Sequence, residues 1–476
     1  MAPRFAASVC LCATLSGCVT DESEPTLGSS DSSGGSAPTS ASDTSAHDGS
    51  TGDDTSSSDD GHPSFDCPAP TDGPTMHPGE NVEAAQVWTA SGSPHLVPYD
   101  FTIHAPVLVE ACARVQIGGG VTLTIGDGGS FVTDGFAEQP VVIERLDAEP
   151  WTTIRTLGGE VQLFYTTLDG GGAVGNGVPE LTGALWLRAP SGTTAVTDVA
   201  RLHEVEIRGS EAAGLRLDGF ASIAADSQGL TITEGASHPI SASATVVGAI
   251  PEGQYDGNAD DRIVLTTANT ETISVDAIIY DRGVPYIVGQ PGQVGDLRVQ
   301  ANPGALAVLT IEAGVELQFQ SEGILTVDHA TGDAPATGAL VAVGTAQRPI
   351  VFTSAAVAPA AGDWLGIYFG GTLDMLDELE HVRVEYAGGA SASGSNSCMY
   401  PGEPINNAAI RIFGVPPGRF VKDSEIIASA AHGIDRGWRA DLEVDFAESV
   451  TFEVTRCTQT TPRKADGTCP DRVPCP

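Results

Sequence analysis

Val121-Thr-Leu-Thr-Ile125 returns as Val315-Glu-Leu-Gln-Phe319, and it does not return alone. Gln139-Pro-Val-Val-Ile143 is matched by Arg348-Pro-Ile-Val-Phe352, and Trp151-Thr-Thr-Ile154 by Trp364-Leu-Gly-Ile367. Phe164-Tyr-Thr-Thr-Leu-Asp-Gly-Gly171 is matched by Val382-Arg-Val-Glu-Tyr-Ala-Gly-Gly389. Ile207-Arg-Gly-Ser210 with Gly214-Leu215 is matched by Ile426-Ile-Ala-Ser429 with Gly433-Ile434. The order holds throughout and the offset grows from 194 to 219, so residues 105–235 are written twice. A chain that repeats itself on this scale stacks similar units.

The repeated blocks read as short strands. Val121, Leu123 and Ile125 alternate with polar residues, as do Val315, Leu317 and Phe319, and Val382, Val384 and Tyr386. Period two means one face in and one face out. Glycine corners such as Gly118-Gly-Gly120, Gly170-Gly-Gly172 and Gly388-Gly389 separate them. No amphipathic helix of ten or more residues is legible, so the expectation is an all-β chain. A sandwich also fits short strands and glycine corners. Irregular strand spacing and the drifting offset favour a solenoid, in which loops lengthen on a constant core.

Thr310-Ile-Glu-Ala-Gly-Val-Glu-Leu-Gln-Phe319, Gly338-Ala-Leu-Val-Ala-Val-Gly-Thr345, Arg348-Pro-Ile-Val-Phe-Thr-Ser354 and Gly362-Asp-Trp-Leu-Gly-Ile-Tyr-Phe369 resemble consecutive coils of bacterial envelope lipoproteins with a right-handed parallel β-helix, the pectate-lyase-like solenoid. The likeness is strongest over 299–434 and fainter over 105–235. It implies a right-handed parallel β-helix built from two duplicated blocks. Fold relatives include polysaccharide lyases and adhesins.

The N-terminus reads as a processing segment. Arg4, an apolar run from Phe5 to Leu15, and Leu15-Ser-Gly-Cys18 resemble a lipobox, which implies cleavage before Cys18 and acylation of it. Val19 after it fits outer-membrane sorting, with display at the cell surface as a further expectation. Residues 19–75 hold twelve acids and no Lys or Arg, which predicts a disordered tether. The predicted order is then an N-terminal cap over 76–104, copy one over 105–235, connecting coils over 236–298, copy two over 299–439, and a cap with a cysteine-containing tail over 440–476.

The chain carries a net charge of −40. Residues 76–476 have fifty acids against twenty-one bases, leaving −29 on the folded part. A field of that sign opposes nucleic acid and anionic lipid as partners. Partners are expected to be the membrane through the lipid anchor, and polysaccharide or envelope proteins. Cys67, Cys112, Cys398, Cys457, Cys469 and Cys475 remain after processing; an even count in an exported chain predicts disulfides. Six cysteines allow fifteen pairings. Proximity suggests Cys67–Cys112, Cys398–Cys457 and Cys469–Cys475.

Candidate chemistry is sparse. His432, Asp435 and Arg436 fall in one predicted coil and offer acid–base groups. Arg383 and Arg411 join Arg436 as bases from successive coils, as a lyase would want. Outward, solvated arginines are the ordinary alternative. Asp256, Asn258 and Asp260 place oxygens at alternate positions, as calcium loops do, although Asp261 and Thr267 stand where an EF-hand needs Gly and Glu. A turn rich in Asp, Gly and Asn explains them equally, so no cofactor is expected, with calcium as the exception to test. Trp364, Tyr368 and Trp438 offer a sugar-stacking platform; the match of Trp364 to Trp151 favours a structural role. The leading expectation is a non-catalytic surface protein for binding, adhesion or envelope structure; the alternative is a polysaccharide lyase or glycoside hydrolase.

Overall fold

Alternation sends every second side chain of a strand inward, and the register between strands shows what those side chains build. A computed structural model describes residues 66–174, 182–265, 270–290, 294–329, 335–391, 396–402 and 405–475. The expected signal segment, Cys18 and the expected tether up to residue 65 lie outside them. Pro63–Pro476 forms one compact unit. The chain is a parallel β-helix. Leu123 stacks on Ile154, Ile154 on Leu185, Leu185 on Leu215 and Leu215 on Ile240, each from a strand one coil further on, and each fully buried. One coil cannot bury such a face by itself; the stack does it coil upon coil.

Four parallel sheets wall this column. A thirteen-stranded sheet runs from Phe101–Ile103 to Val450–Val454. A twelve-stranded sheet covers the N-terminal half, from Thr75–Met76 to Gly253–Gln254. A six-stranded sheet from Thr270–Ile273 to His432–Arg436 and a five-stranded sheet from Ala277–Ile279 to Val421–Lys422 cover the C-terminal half. The thirteen-stranded sheet crosses from copy one to copy two without a break, so the two copies form one continuous solenoid.

The copies nevertheless use that sheet differently. In copy one it receives the second strand of each coil, for example Thr122–Gly126 and Thr153–Leu157. In copy two it receives the first, for example Glu316–Phe319 and Ile350–Ser354. The second strands of copy two, such as Ile324–Val327 and Gly366–Phe369, build the six-stranded sheet instead. Each repeated block therefore moves one face around the column at the junction. There the strand Ile240–Ala242 is followed by a 3-10 turn, Ala244–Ala249, the one helical segment among the described residues.

This corrects one sequence match. Val121–Ile125 is the structural counterpart of Gly323–Val327, not of Val315–Phe319; Arg114–Ile117 occupies the position of Glu316–Phe319. The true offset starts at 202. Strands on different faces share the same alternation, so pattern alone let the match slip by one face. Backbone dihedrals fix the corrected register: Gly120 and Glu322, 202 residues apart, both turn a corner at positive φ (72° and 62°). Of the later matches, Phe164–Gly171 slips by two: Tyr165 and His381, and Gly172 and Gly388, turn corners at positive φ 216 residues apart, not 218, and the others stand. Trp151 and Trp364 are both fully buried, and both donate from Nε1 to a backbone carbonyl, of Asp169 at 3.0 Å and of Glu385 at 2.7 Å. A Cβ on Gly171 would lie 2.5 Å from the Trp151 ring, which explains a glycine there.

The ends are tied covalently. Cys67 pairs with Cys112 as proximity suggested. The other two pairings differ from expectation: Cys398 joins Cys469, and Cys457 joins Cys475. The tail folds back along the last coil, with Cys398 bridged to Thr461 and Ile434 to Gln459, so chain proximity misjudged spatial proximity. Residues 66–75, placed in the tether by composition, lie along the first coils: Asp66 N donates to Glu138 O, and Thr71 N and Asp72 N donate to Ser91 O.

Candidate functional site

The acid–base candidates sit on strands of copy two, and alternation decides where each side chain goes. Ile410 and Ile412 point into the column, so Arg411 points out of it; Ile434 points in, so Asp435 points out. Register aligns Tyr368, Arg411 and Asp435 in one row across three adjacent coils of the six-stranded sheet. Two of the sequence candidates therefore meet.

The row is closed. Arg411 and Asp435 are each 1% exposed. Asp435 Oδ1 accepts hydrogen bonds from Ser397 Oγ at 2.6 Å and Thr460 Oγ1 at 2.9 Å. Asn406 Nδ2 holds Ser397 Oγ at 2.7 Å, and Cys398 N ties this covering segment to Thr461 O at 2.8 Å. The Arg411 guanidinium lies 4.8 Å over the Tyr368 ring. Burial pushes the Arg411 guanidinium below its ordinary value, against the opposing pull of Asp435 and Tyr368. Burial likewise raises the Tyr368 phenol.

The remaining candidates are placed elsewhere. His432 and Arg436 lie on the column side with Ile434. His432 Nδ1 accepts from Cys457 N at 3.2 Å, and the ring meets Tyr400 edge-on. Arg436 donates to the carbonyls of Thr460 and Val444. These two plug the last coil. Arg383 points outward on the thirteen-stranded sheet and pairs with Glu425 at 2.8 Å. The structure brings Arg411 and Asp435 together and separates Arg383 onto a different sheet. Trp364 and Trp438 are fully buried and Tyr368 is nearly so, which leaves no sugar platform among them.

The Asp256–Asp261 turn explains its own side chains. Asn258 Nδ2 donates to the carbonyls of Ile232 and Tyr255, and its Oδ1 accepts from Gly235 N. Asp260 is bound by the Arg262 guanidinium. Burial raises the Asp260 carboxyl, but Arg262 and His238 outweigh that and hold it below the usual range. Among the described residues no group of three or more His, Cys, Asp or Glu side chains is arranged to hold a metal ion.

Two clefts lie outside the sequence candidates. A cleft of about 810 Å³ opens at the junction of the copies, between Ser222–Ala225, the 3-10 turn and Asp276–Tyr280. Arg282 floors it by donating to Ile250 O and stacking over Tyr280. A second, about 680 Å³, crosses three coils of the thirteen-stranded sheet and is lined by Asp260, Arg262, Glu316, Gln318, Glu385 and Tyr386, among others. Sequence reasoning missed both, because acids are everywhere in the chain and only register shows which ones share a face. No protein-family model, no curated protein and no solved structure matches the chain.

Proposed function

We propose that this is an exported, lipid-anchored surface protein that presents a rigid acidic β-helix in a binding or structural role. One observation carries the reading: the polar groups best suited to acid–base work are spent on closing the C-terminal end of the solenoid. Asp435, His432 and Arg436 each bond to the covering chain rather than to open solvent. The membrane link rests on the Leu15–Cys18 lipobox resemblance, with Cys18 as the acylated residue and the outer membrane as the destination.

The second reading, a polysaccharide lyase or hydrolase, draws on the 680 Å³ cleft, where Glu316 and Glu385, two coils apart, share an outward face with Asp260. A glycosidase needs one carboxyl raised enough to act as an acid. Asp260 is shifted the other way. Incubating the full chain with neutral and acidic polysaccharides separates the readings. Unchanged reducing ends and unsaturated-product absorbance are expected; turnover that disappears in Glu316→Gln or Glu385→Gln would establish the enzyme. Cys18→Ala should move the protein from the membrane to the soluble fraction.

A further inference from the structure

The covered row has a counterpart in copy one. Ile154 matches Ile367 and Leu215 matches Ile434, so the outward residues Arg155, Trp186 and Arg216 stand where Tyr368, Arg411 and Asp435 stand in copy two. Both rows contain a cation–π pair: Arg216 lies 4.7 Å from the Trp186 ring centroid, Arg411 4.8 Å from Tyr368. The copy-one row differs in two respects. It is partly open, since Arg155 and Trp186 are neither buried nor fully exposed. It also gathers positive charge. Arg188, two residues along the strand from Trp186, points the same way and lies 5.0 Å from that ring. Asp218, the carboxylate among them, meets Arg216 at 2.8 Å, accepts from Trp186 Nε1 at 2.7 Å and lies 3.9 Å from Arg188. Three arginines on one face are a local reversal of sign in a fold whose acids outnumber bases fifty to twenty-one.

A pocket of about 200 Å³ opens beside this row, lined by Arg188 and Asp218 together with Ala189, Pro190, Thr193 and Phe220. Its lining is more polar than apolar; Ala189, Pro190 and Phe220 supply the apolar part, and Arg188 and Asp218 supply the charge. In copy two, the chain itself sets a carboxylate, Asp435, beside Arg411 in the equivalent row. Guanidinium groups pair with carboxylates through planar, charge-assisted hydrogen bonds. The surrounding acidic surface repels an extended polyanion, which limits the ligand to a localised charge.

The geometry points to a binding site for a small organic carboxylate: its apolar body enters the pocket at Pro190 and Phe220, and its carboxylate meets Arg188 and the Arg155–Trp186–Arg216 row. The site extends the binding reading above but depends neither on the lipid anchor nor on the absence of turnover.

The test uses the full chain with benzoate, its neutral isostere benzamide, and inorganic sulfate at matched ionic strength, followed by calorimetry. Four of the five tryptophans are fully buried and Trp186 is not, so neutral acrylamide quenching reads the row directly. Saturable benzoate binding is expected, with Trp186 protected from acrylamide. Arg188→Gln and Arg155→Gln should each weaken it at least about tenfold, equivalent to about 1.4 kcal/mol, at unchanged thermal midpoint. Arg383→Gln, on the same sheet but paired with Glu425, should leave it unchanged. Equal binding of benzamide, equal binding of sulfate, or indifference to both arginine substitutions would overturn the proposal. Loss of benzoate binding would leave the display reading standing, since polysaccharide turnover and membrane partition test that separately.

Discussion

The two copies carry equivalent outward rows and treat them in opposite ways. In copy two, Tyr368–Arg411–Asp435 is sealed by Ser397, Asn406 and Thr460; in copy one, Arg155–Trp186–Arg216 stays partly open beside a small pocket. The strands beneath are alike: apolar residues fill the column and alternate residues of each strand face out. What distinguishes the rows is the loop and tail that cross one of them. A solenoid fixes where side chains stand, and its insertions decide whether a row becomes core or surface.

The largest expected effect comes from breaking the covered row. Asp435→Ala leaves Arg411 buried without its neighbouring carboxylate and strips Ser397 and Thr460 of an acceptor, which should cost up to about 5 kcal/mol in chemical denaturation. A loss below about 1 kcal/mol would mean the row is wet. Next comes the lock on its cover. Replacing Cys398 and Cys469 by Ser removes a crosslink spanning 71 residues, about 4 kcal/mol in the chain-entropy picture. Buried Trp438, near the crossing tail, should then become open to acrylamide.

The third effect is pH-dependent and belongs to copy two alone. Asp377 is buried, accepts from Leu340 N and Asp374 N at 2.9 Å each, and burial raises its carboxyl from 3.8 to about 7. The fold therefore favours the protonated form. Its contribution is fully present below about pH 4 and is lost as pH rises through about 7, roughly 4 kcal/mol. Asp377→Asn should flatten that fall; parallel profiles for the two proteins would refute it. The equivalent position of copy one is Val161, beside Phe131 as Asp377 is beside Leu340, and it is a fully buried core residue that does not titrate. Smaller again, Trp151→Phe and Trp364→Phe should cost similar amounts, about 1–2 kcal/mol each, because both lose the same indole bond to a buried carbonyl. A clear inequality would break the equivalence of the copies. Arg188→Ala, in an exposed pair, should change stability by less than about 1 kcal/mol.

Much of this was readable in advance. The duplicated blocks and period-two alternation announced a β-solenoid, and Trp151 and Trp364 announced their own equivalence. The shift of one face at the junction was not readable, because Val121–Ile125 and Val315–Phe319 alternate identically whichever wall they build. The fate of His432, Asp435 and Arg436 was also hidden: their strand looks like any other, and the tail that buries them is held by pairings, Cys398–Cys469 and Cys457–Cys475, that spacing did not favour. The open row escaped notice because Arg155, Trp186 and Arg216 are about thirty residues apart and meet only through strand register.

The contrast between the rows is tested most directly by arginine-selective labelling of the native full chain with phenylglyoxal, mapped by peptide mass spectrometry. Arg188 should be modified readily and Arg155 more slowly, while Arg411 should stay unmodified until the fold is disrupted. Modification of Arg411 at the rate of Arg188 would show that the covered row is open, and the distinction between the copies would fall.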